Sequence, residues 1–274
     1  MGVPYDGTST YRSGARFAPN AIRDASLNVE SYSLRVGVDA ENLPLHDLGD
    51  LDVVVDVAET LRRLKVVSSE LSGMGKRLML IGGEHTITLG AVQGIGDVDA
   101  VVSFDAHLDL RGEYMGQRVS HATVMRRIHE LEGVDRVVWV GVRAVSREEL
   151  EFAQTIGACY ITSRDVWLKG LEHSKNALEN ALSNCETLYI TVDIDVLDPA
   201  YAPAAQNPEP EGLTVHQLLE LLCPLCGRAV AVDLVEVSPP YDNGTTAIQA
   251  AKILLEALCH MEGGRNERKC RSKP

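Results

Sequence analysis

Three short stretches of the chain carry side chains able to do chemistry. SFDAHLDLR (103–111) sets Asp105, His107 and Asp109 at every second position. TVDID (191–195) holds Asp193 and Asp195 at the same spacing, and GGEHT (82–86) holds Glu84 and His85. Any one such residue reads best as a polar strand end or a helix cap. The set reads differently. Four carboxylates and two imidazoles in one crevice cannot stay ionised and unpaired, because burying like charges is too costly. No lysine or arginine stands at the other strand ends to neutralise them all, whereas two divalent cations would. A donor set rich in oxygen, poor in nitrogen and free of sulfur favours manganese first, with cobalt, nickel or zinc as substitutes.

The elements that must position these residues are short β-rich runs separated by helical patterns. The runs are RLMLI (77–81), AVVSF (100–104), RVVWVGV (136–142), ACYI (158–161), LYITV (188–192) and AVAVDLVEV (229–237), with weaker candidates at 3–5 and 43–48. Their continuous apolar character indicates strands covered on both faces, as in a parallel sheet. Helices are read at 56–71, 123–131, 147–156, 165–182 and 246–258. The alternation predicts one α/β domain over 1–261: a three-layer α/β/α, doubly wound, mostly parallel sheet of about eight strands. Residues 262–274 read as a polar, basic, frayed tail. In open sheets of this kind ligands bind beyond the carboxyl ends of the strands. GGEHT, DAHLD and DID each follow a strand, and Glu236 lies near the end of the last one.

Composition bounds the partners. The 274 residues carry a formal charge of −13, which argues against nucleic acid and anionic membrane and suits a small cationic ligand. No apolar run is long enough to span a bilayer. The amino terminus lacks a signal-peptide layout and the six cysteines are scattered, so a reduced, cytoplasmic protein is the expectation. Cys223 and Cys226 form a C-x-x-C pair, but with no second pair at ligand spacing they read as buried cysteines near a helix end.

GGEHT, SFDAHLDLR, SHATVMRR, ITVDIDVLDPAYAP and DLVEVSPPYD resemble the signature segments of the ureohydrolases, the arginase and agmatinase family. GVPYDGTSTYRSGARFAPNAIR resembles the amino-terminal segment of the agmatinase branch, and the likeness runs from Gly2 to about residue 260. It implies an arginase-type fold with two manganese ions per subunit and assembly into homotrimers or homohexamers. It implies that His85 and Asp109 bind one ion, His107 and Asp195 the other, and that Asp105 and Asp193 bridge them. Glu236 matches the guanidinium-binding glutamate and His121 the acid/base histidine; with Asp109 they make up the catalytic set. The implied reaction is hydrolysis of a guanidino compound by a metal-bridging hydroxide, releasing urea. The chemistry agrees: metal coordination brings the pKa of water towards neutrality, and a histidine can protonate the departing amine. Guanidinium, planar and cationic, pairs with a carboxylate in a fork. Read alone, His121 would be a surface residue in the first turn of a helix capped by Ser120.

Two features bear on substrate and activity. Where relatives have a glycine-rich turn, this chain reads Ala204-Ala205-Gln206-Asn207, so a left-handed turn there is expected to be altered, with Asn207 as partial rescue. The loop at 110–120 (LRGEYMGQRVS) lacks the asparagine-and-serine pattern by which familiar arginases hold an amino-acid end, and resembles the agmatinase branch. It carries Arg111, suited to an anionic tail, and Glu113, suited to a cationic one. Agmatine, giving putrescine and urea, is the favoured substrate; arginine, guanidinobutyrate and aminopropylagmatine are alternatives. A metal-binding but catalytically silent subunit is the alternative of another class.

Overall fold

The computed structural model describes the backbone of residues 1–271 and the side chains of residues 1–263. The strands are β1 (Gly2–Val3), β2 (Tyr32–Ser33), β3 (Val38–Asp39), β4 (Leu78–Gly82), β5 (Ala100–Phe104), β6 (Val137–Val142), β7 (Cys159–Thr162), β8 (Leu188–Asp193) and β9 (Ala229–Val235). The α-helices are α1 (Ala18–Ser26), α2 (Val57–Gly73), α3 (Ile87–Ile95), α4 (Val124–His129), α5 (Arg147–Thr155), α6 (Ser163–Lys169), α7 (Leu171–Ala181), α8 (Val215–Cys226) and α9 (Thr245–Arg271). Residues 272–274 and the side chains from 264 onward lie outside the described residues, and with them much of the expected tail; α9 carries the backbone to Arg271.

The main sheet has seven strands in the order β1-β4-β9-β8-β5-β6-β7, every pairing parallel. The expected count of about eight fails at 43–48. Leu45 and Leu48 there are exposed, and the segment makes no ladder. Pro44 lacks the amide that a strand would donate at that position. The small antiparallel pair of β2 and β3 stands apart from the sheet.

Residues alternate across the sheet between two cores. Val102, Phe104, Ile190 and Val192 pack with α1, α6, α7, α8 and α9 on one face. Val101, Tyr189 and Ala231 pack with α2, α3, α4 and α5 on the other. Both faces are therefore covered, which is why these strands read as continuous apolar runs. Helix starts follow their side chains: Asp56 accepts the Glu59 amide at 2.7 Å, and Ser146 with Glu149 and Thr214 with Gln217 form capping boxes. The helix expected over 165–182 is two helices, because Gly170 at φ 85° breaks it. Cys223 and Cys226 are buried in α8, where burial raises both thiols, and neither joins a metal-type cluster among the described residues. No helix among the described residues is long and apolar enough to cross a membrane.

One consequence of the order decides the site. The strands β4, β9, β8 and β5 are immediate neighbours, so the residues after their carboxyl ends share one edge.

Candidate metal centre

The D-x-H and D-x-D spacings fold locally by one device. Asp105 Oδ1 accepts the amide of His107 at 2.6 Å, and Asp193 Oδ1 accepts the amide of Asp195 at 2.9 Å. Each aspartate uses one oxygen to tighten its own turn and leaves the other to face the site. Asp195 Oδ1 in turn accepts the amide of Ala106 at 3.0 Å, tying the ends of β5 and β8 together. Asp109 (φ 51°) and Glu236 (φ 68°) both take left-handed backbone, costly for residues with a Cβ and characteristic of functional sites.

All six expected ligands converge. His85 Nδ1 lies 2.9 Å from Asp109 Oδ2, 3.2 Å from Asp105 Oδ2 and 3.6 Å from Asp193 Oδ2. His107 Nδ1 lies 3.0 Å from Asp195 Oδ2 and 3.5 Å from Asp105 Oδ1. Two ligand groups result, His85 with Asp105 and Asp193, and Asp105 with His107 and Asp195. Asp105 belongs to both. The far nitrogen of His85, Nε2, sits 3.1 Å from Thr191 Oγ1, which holds the ring with Nδ1 turned to the carboxylates.

The donor set fits divalent cations. His85 Nδ1 and Asp105 Oδ2 are fully buried, face one another, and have no hydrogen-bond partner. That is the arrangement of atoms directed at a common ion rather than at each other. Among the described residues, only histidines make ion pairs with the four carboxylates. Burial pushes the carboxyls of Asp109 and Asp193 up, reinforced by Asp105 at the first and by Asp195 and Asp105 at the second. At Asp105 burial opposes ionisation, but His107 and His85 hold the carboxyl down. Both imidazoles are raised against the opposing effect of burial by the aspartates around them. The cluster thus demands positive charge, which protons supply in part and metal ions supply fully.

Glu236 and His121 flank the cluster. Glu236 Oε1 accepts the amide of His85 at 2.6 Å, while Oε2 is buried without a partner. Burial, then Glu84, raises this carboxyl. His121 opens a 3-10 turn (His121–Thr123) whose start is held by the Ser120 amide on Thr123 Oγ1 at 2.9 Å. It is buried, not a surface residue, and burial together with His85 and His107 lowers its pKa to about 4. A cleft of about 520 Å³ opens over His107, Asp109 and His121. Arg111 lines it, yet its Nε is 3.7 Å from Glu149 Oε2 and its guanidinium stacks 5.0 Å from the centre of the Tyr114 ring. Glu113 is exposed and is not among the cleft's lining residues, so it is not brought to the site.

Several residues at the site went unread in the sequence. Arg143, in the VGVR that ends β6, lines the cleft and donates to the carbonyls of Asp195 at 2.6 Å, Glu209 at 2.8 Å and Pro210 at 2.8 Å. Glu209 Oε1 lies 3.7 Å from His107 Nε2. Thr8 and Thr10 contact His121. Contrary to the expectation that no arginine stands at the other strand ends, one follows β6 directly, a readable signal, although its guanidinium is spent on carbonyls; the threonines offered none.

The segment 204–207 corrects the expectation that Asn207 rescues a left-handed turn. None of its residues has positive φ. Ala204 and Ala205 are buried, and Ala205 bridges Val237 just beyond β9: the Ser238 amide donates to Ala204 O at 2.7 Å and the Gln206 amide to Glu236 O at 3.1 Å. Small side chains suit this buried bridge, and Asn207 has no left-handed role to fill.

Carboxylates and imidazoles gathered at the ends of four adjacent parallel strands, in two groups sharing Asp105, define an α/β/α protein built around a paired metal site. The family model for the Arginase family matches residues 1–260, and the chain belongs to that family of ureohydrolases. An agmatinase of Pyrococcus horikoshii is 38% identical over 263 residues, covering 94% of this chain and 89% of that protein. An N(1)-aminopropylagmatine ureohydrolase of Thermococcus kodakarensis is 37% identical over 265 residues, covering 94% and 88%. The crystal structure of the agmatine ureohydrolase of Thermoplasma volcanium superposes with a TM-score of 0.90 at 40% identity, covering 97% of this chain and 90% of that one.

Proposed function

We propose that this ureohydrolase hydrolyses agmatine to putrescine and urea. His85 and Asp109 would hold one divalent ion, His107 and Asp195 the other, and Asp105 and Asp193 both, with manganese the ion best matched to so oxygen-rich a set. Ions held there supply Lewis acidity and bring the pKa of water towards neutrality. Glu236 offers the guanidinium Oε2, buried without a partner, together with the second lone pair of Oε1, whose first accepts the His85 amide. His121, neutral at physiological pH, takes up a proton and returns it to the amine that departs.

The observation that carries the substrate is the state of the two arginines in the cleft. Arg111 is held by Glu149 and Tyr114, and Arg143 is turned to backbone carbonyls. Neither is poised for a substrate carboxylate, while Glu149 and Glu209 line the same cleft. A cationic tail suits this lining better than the α-carboxylate of arginine or the acid of guanidinobutyrate. The names of the relatives from Pyrococcus and Thermoplasma agree with this reading. A single domain over 1–261 with a basic tail, a homotrimer or homohexamer, a cytoplasmic location and a place in polyamine synthesis complete it.

The test is urea release by the manganese-loaded protein from agmatine, aminopropylagmatine, arginine and guanidinobutyrate in parallel. The highest kcat/KM should fall on agmatine. A preference for either acid overturns the reading of the cleft, a preference for aminopropylagmatine moves the substrate to a longer polyamine, and no urea from any leaves a silent subunit.

A further inference from the structure

The sequence brings Glu84 to the sheet edge beside His85, and the roles assigned so far leave it unused. It is completely buried, yet both its oxygens are engaged. Oε2 accepts the Thr8 amide at 2.8 Å, and Oε1 accepts the hydroxyls of Thr8 and Thr86, each at 2.6 Å. The Ser9 hydroxyl adds a longer contact to Oε2 at 3.3 Å. The amino-terminal segment is thereby stapled across the end of β4. Gly83 permits this approach: a Cβ there would lie 1.9 Å from the carbonyl oxygen of Tyr5.

The staple ends on His121. Thr8 Oγ1 lies 3.2 Å from His121 Nδ1 and also receives the His121 amide at 3.2 Å. A hydroxyl has one proton and two lone pairs. The short bond to Glu84 commits the proton, so both lone pairs accept, one from the His121 amide and the other from Nδ1–H. That leaves Nε2 with the free lone pair in the neutral ring. Nε2 lies 3.3 Å from the hydroxyl of Thr10, an exposed residue lining the cleft. The Tyr114 ring meets the imidazole edge-on at 5.8 Å and limits its rotation.

We propose that Glu84 and Thr8 are positioning residues for His121: the chain Glu84–Thr8–His121 keeps Nδ1 protonated and aims Nε2, through Thr10, at the cleft. This rests on the acid/base role of His121 proposed above. The logic is that of a carboxylate orienting an imidazole, with a threonine hydroxyl interposed. It assigns a task to the YDGTST segment.

The tautomer is measured first, by the nitrogen chemical shifts of His121 in the full chain loaded with zinc as a diamagnetic divalent ion. They should show Nδ1 protonated and Nε2 bare; the reverse overturns the proposal. Thr8→Val should then shift the ring towards a tautomer mixture. It should lower kcat by about 10- to 100-fold, the range for partners of active groups, with KM within about twofold. Thr8→Ser should recover most of the loss at unchanged metal content. His121→Asn separates the two levels. Retention of its activity sinks the acid/base reading, whereas an inactive His121→Asn beside a fully active Thr8→Val sinks only the positioning chain. If Thr8→Val does not fold, the wild-type tautomer and Thr8→Ser decide.

Discussion

Asp105 is the residue on which the centre turns. One of its oxygens closes the turn to His107, the other lies among His85, Asp109 and Asp193, and the two ligand groups found among the described residues share it. Arg143 holds the frame around it. Its guanidinium gathers carbonyls from 195, 209 and 210, so the loop bearing Asp195 and the loop bearing Glu209 are clamped to the end of β6. Lysine cannot reproduce that planar fork. Arg143→Lys should lower metal affinity and kcat/KM by roughly tenfold or more, read by metal titration and urea release. Unchanged values for both would show that the loops hold without it. The ligands were legible in the sequence because carboxylate and imidazole at alternate positions after an apolar run have few other uses. The hydroxyls of Thr8 and Thr10 were not, because threonine is ordinary in any loop and its task depends on a histidine more than a hundred positions away.

At the scale of elements, the strands were legible and the joints less so. Buried parallel strands announce themselves as unbroken apolar runs, and five of the six strong runs map onto the interior of the sheet or its covered flank. The break at Gly170 was hidden inside a pattern that remains helical on both sides. The helix α3, ITLGAVQGI, is buried nearly all round and so lacks the polar stripe that marks a surface helix. Contacts between elements add a pH dependence. Glu220 on α8 meets Lys175 on α7 and Arg35 beside β2, and these hold its pKa at about 2 against an ordinary 4.5. A depressed carboxyl contributes stability that is present above 4.5 and lost as pH falls towards 2. Glu220→Gln should lower Tm at pH 7 by roughly 1–3 °C, and the difference should close as the pH falls through that window. A Tm gap that persists at pH 2 would assign the effect to packing instead.

For the molecule as a whole, charge and topology act together. The return of the chain to place β8 and β9 between β4 and β5 makes neighbours of four strand ends that are far apart in sequence. No local pattern specifies that order; the need to cover both faces and the hand of parallel crossovers narrow it without fixing it. The net charge of −13 gives a cationic substrate a favourable field, and divalent ions at the anionic cluster would stabilise the fold by offsetting its repulsion. Urea release from agmatine, followed through removal of divalent ions by chelation and their return as manganese, tests the centre most directly. Turnover should fall by about a hundredfold or more on chelation and come back on reloading, as expected where a metal supplies the nucleophile, and Asp105→Asn should not recover. Undiminished turnover after verified removal of the ions, or full activity in Asp105→Asn, would contradict a catalytic metal centre at these six residues.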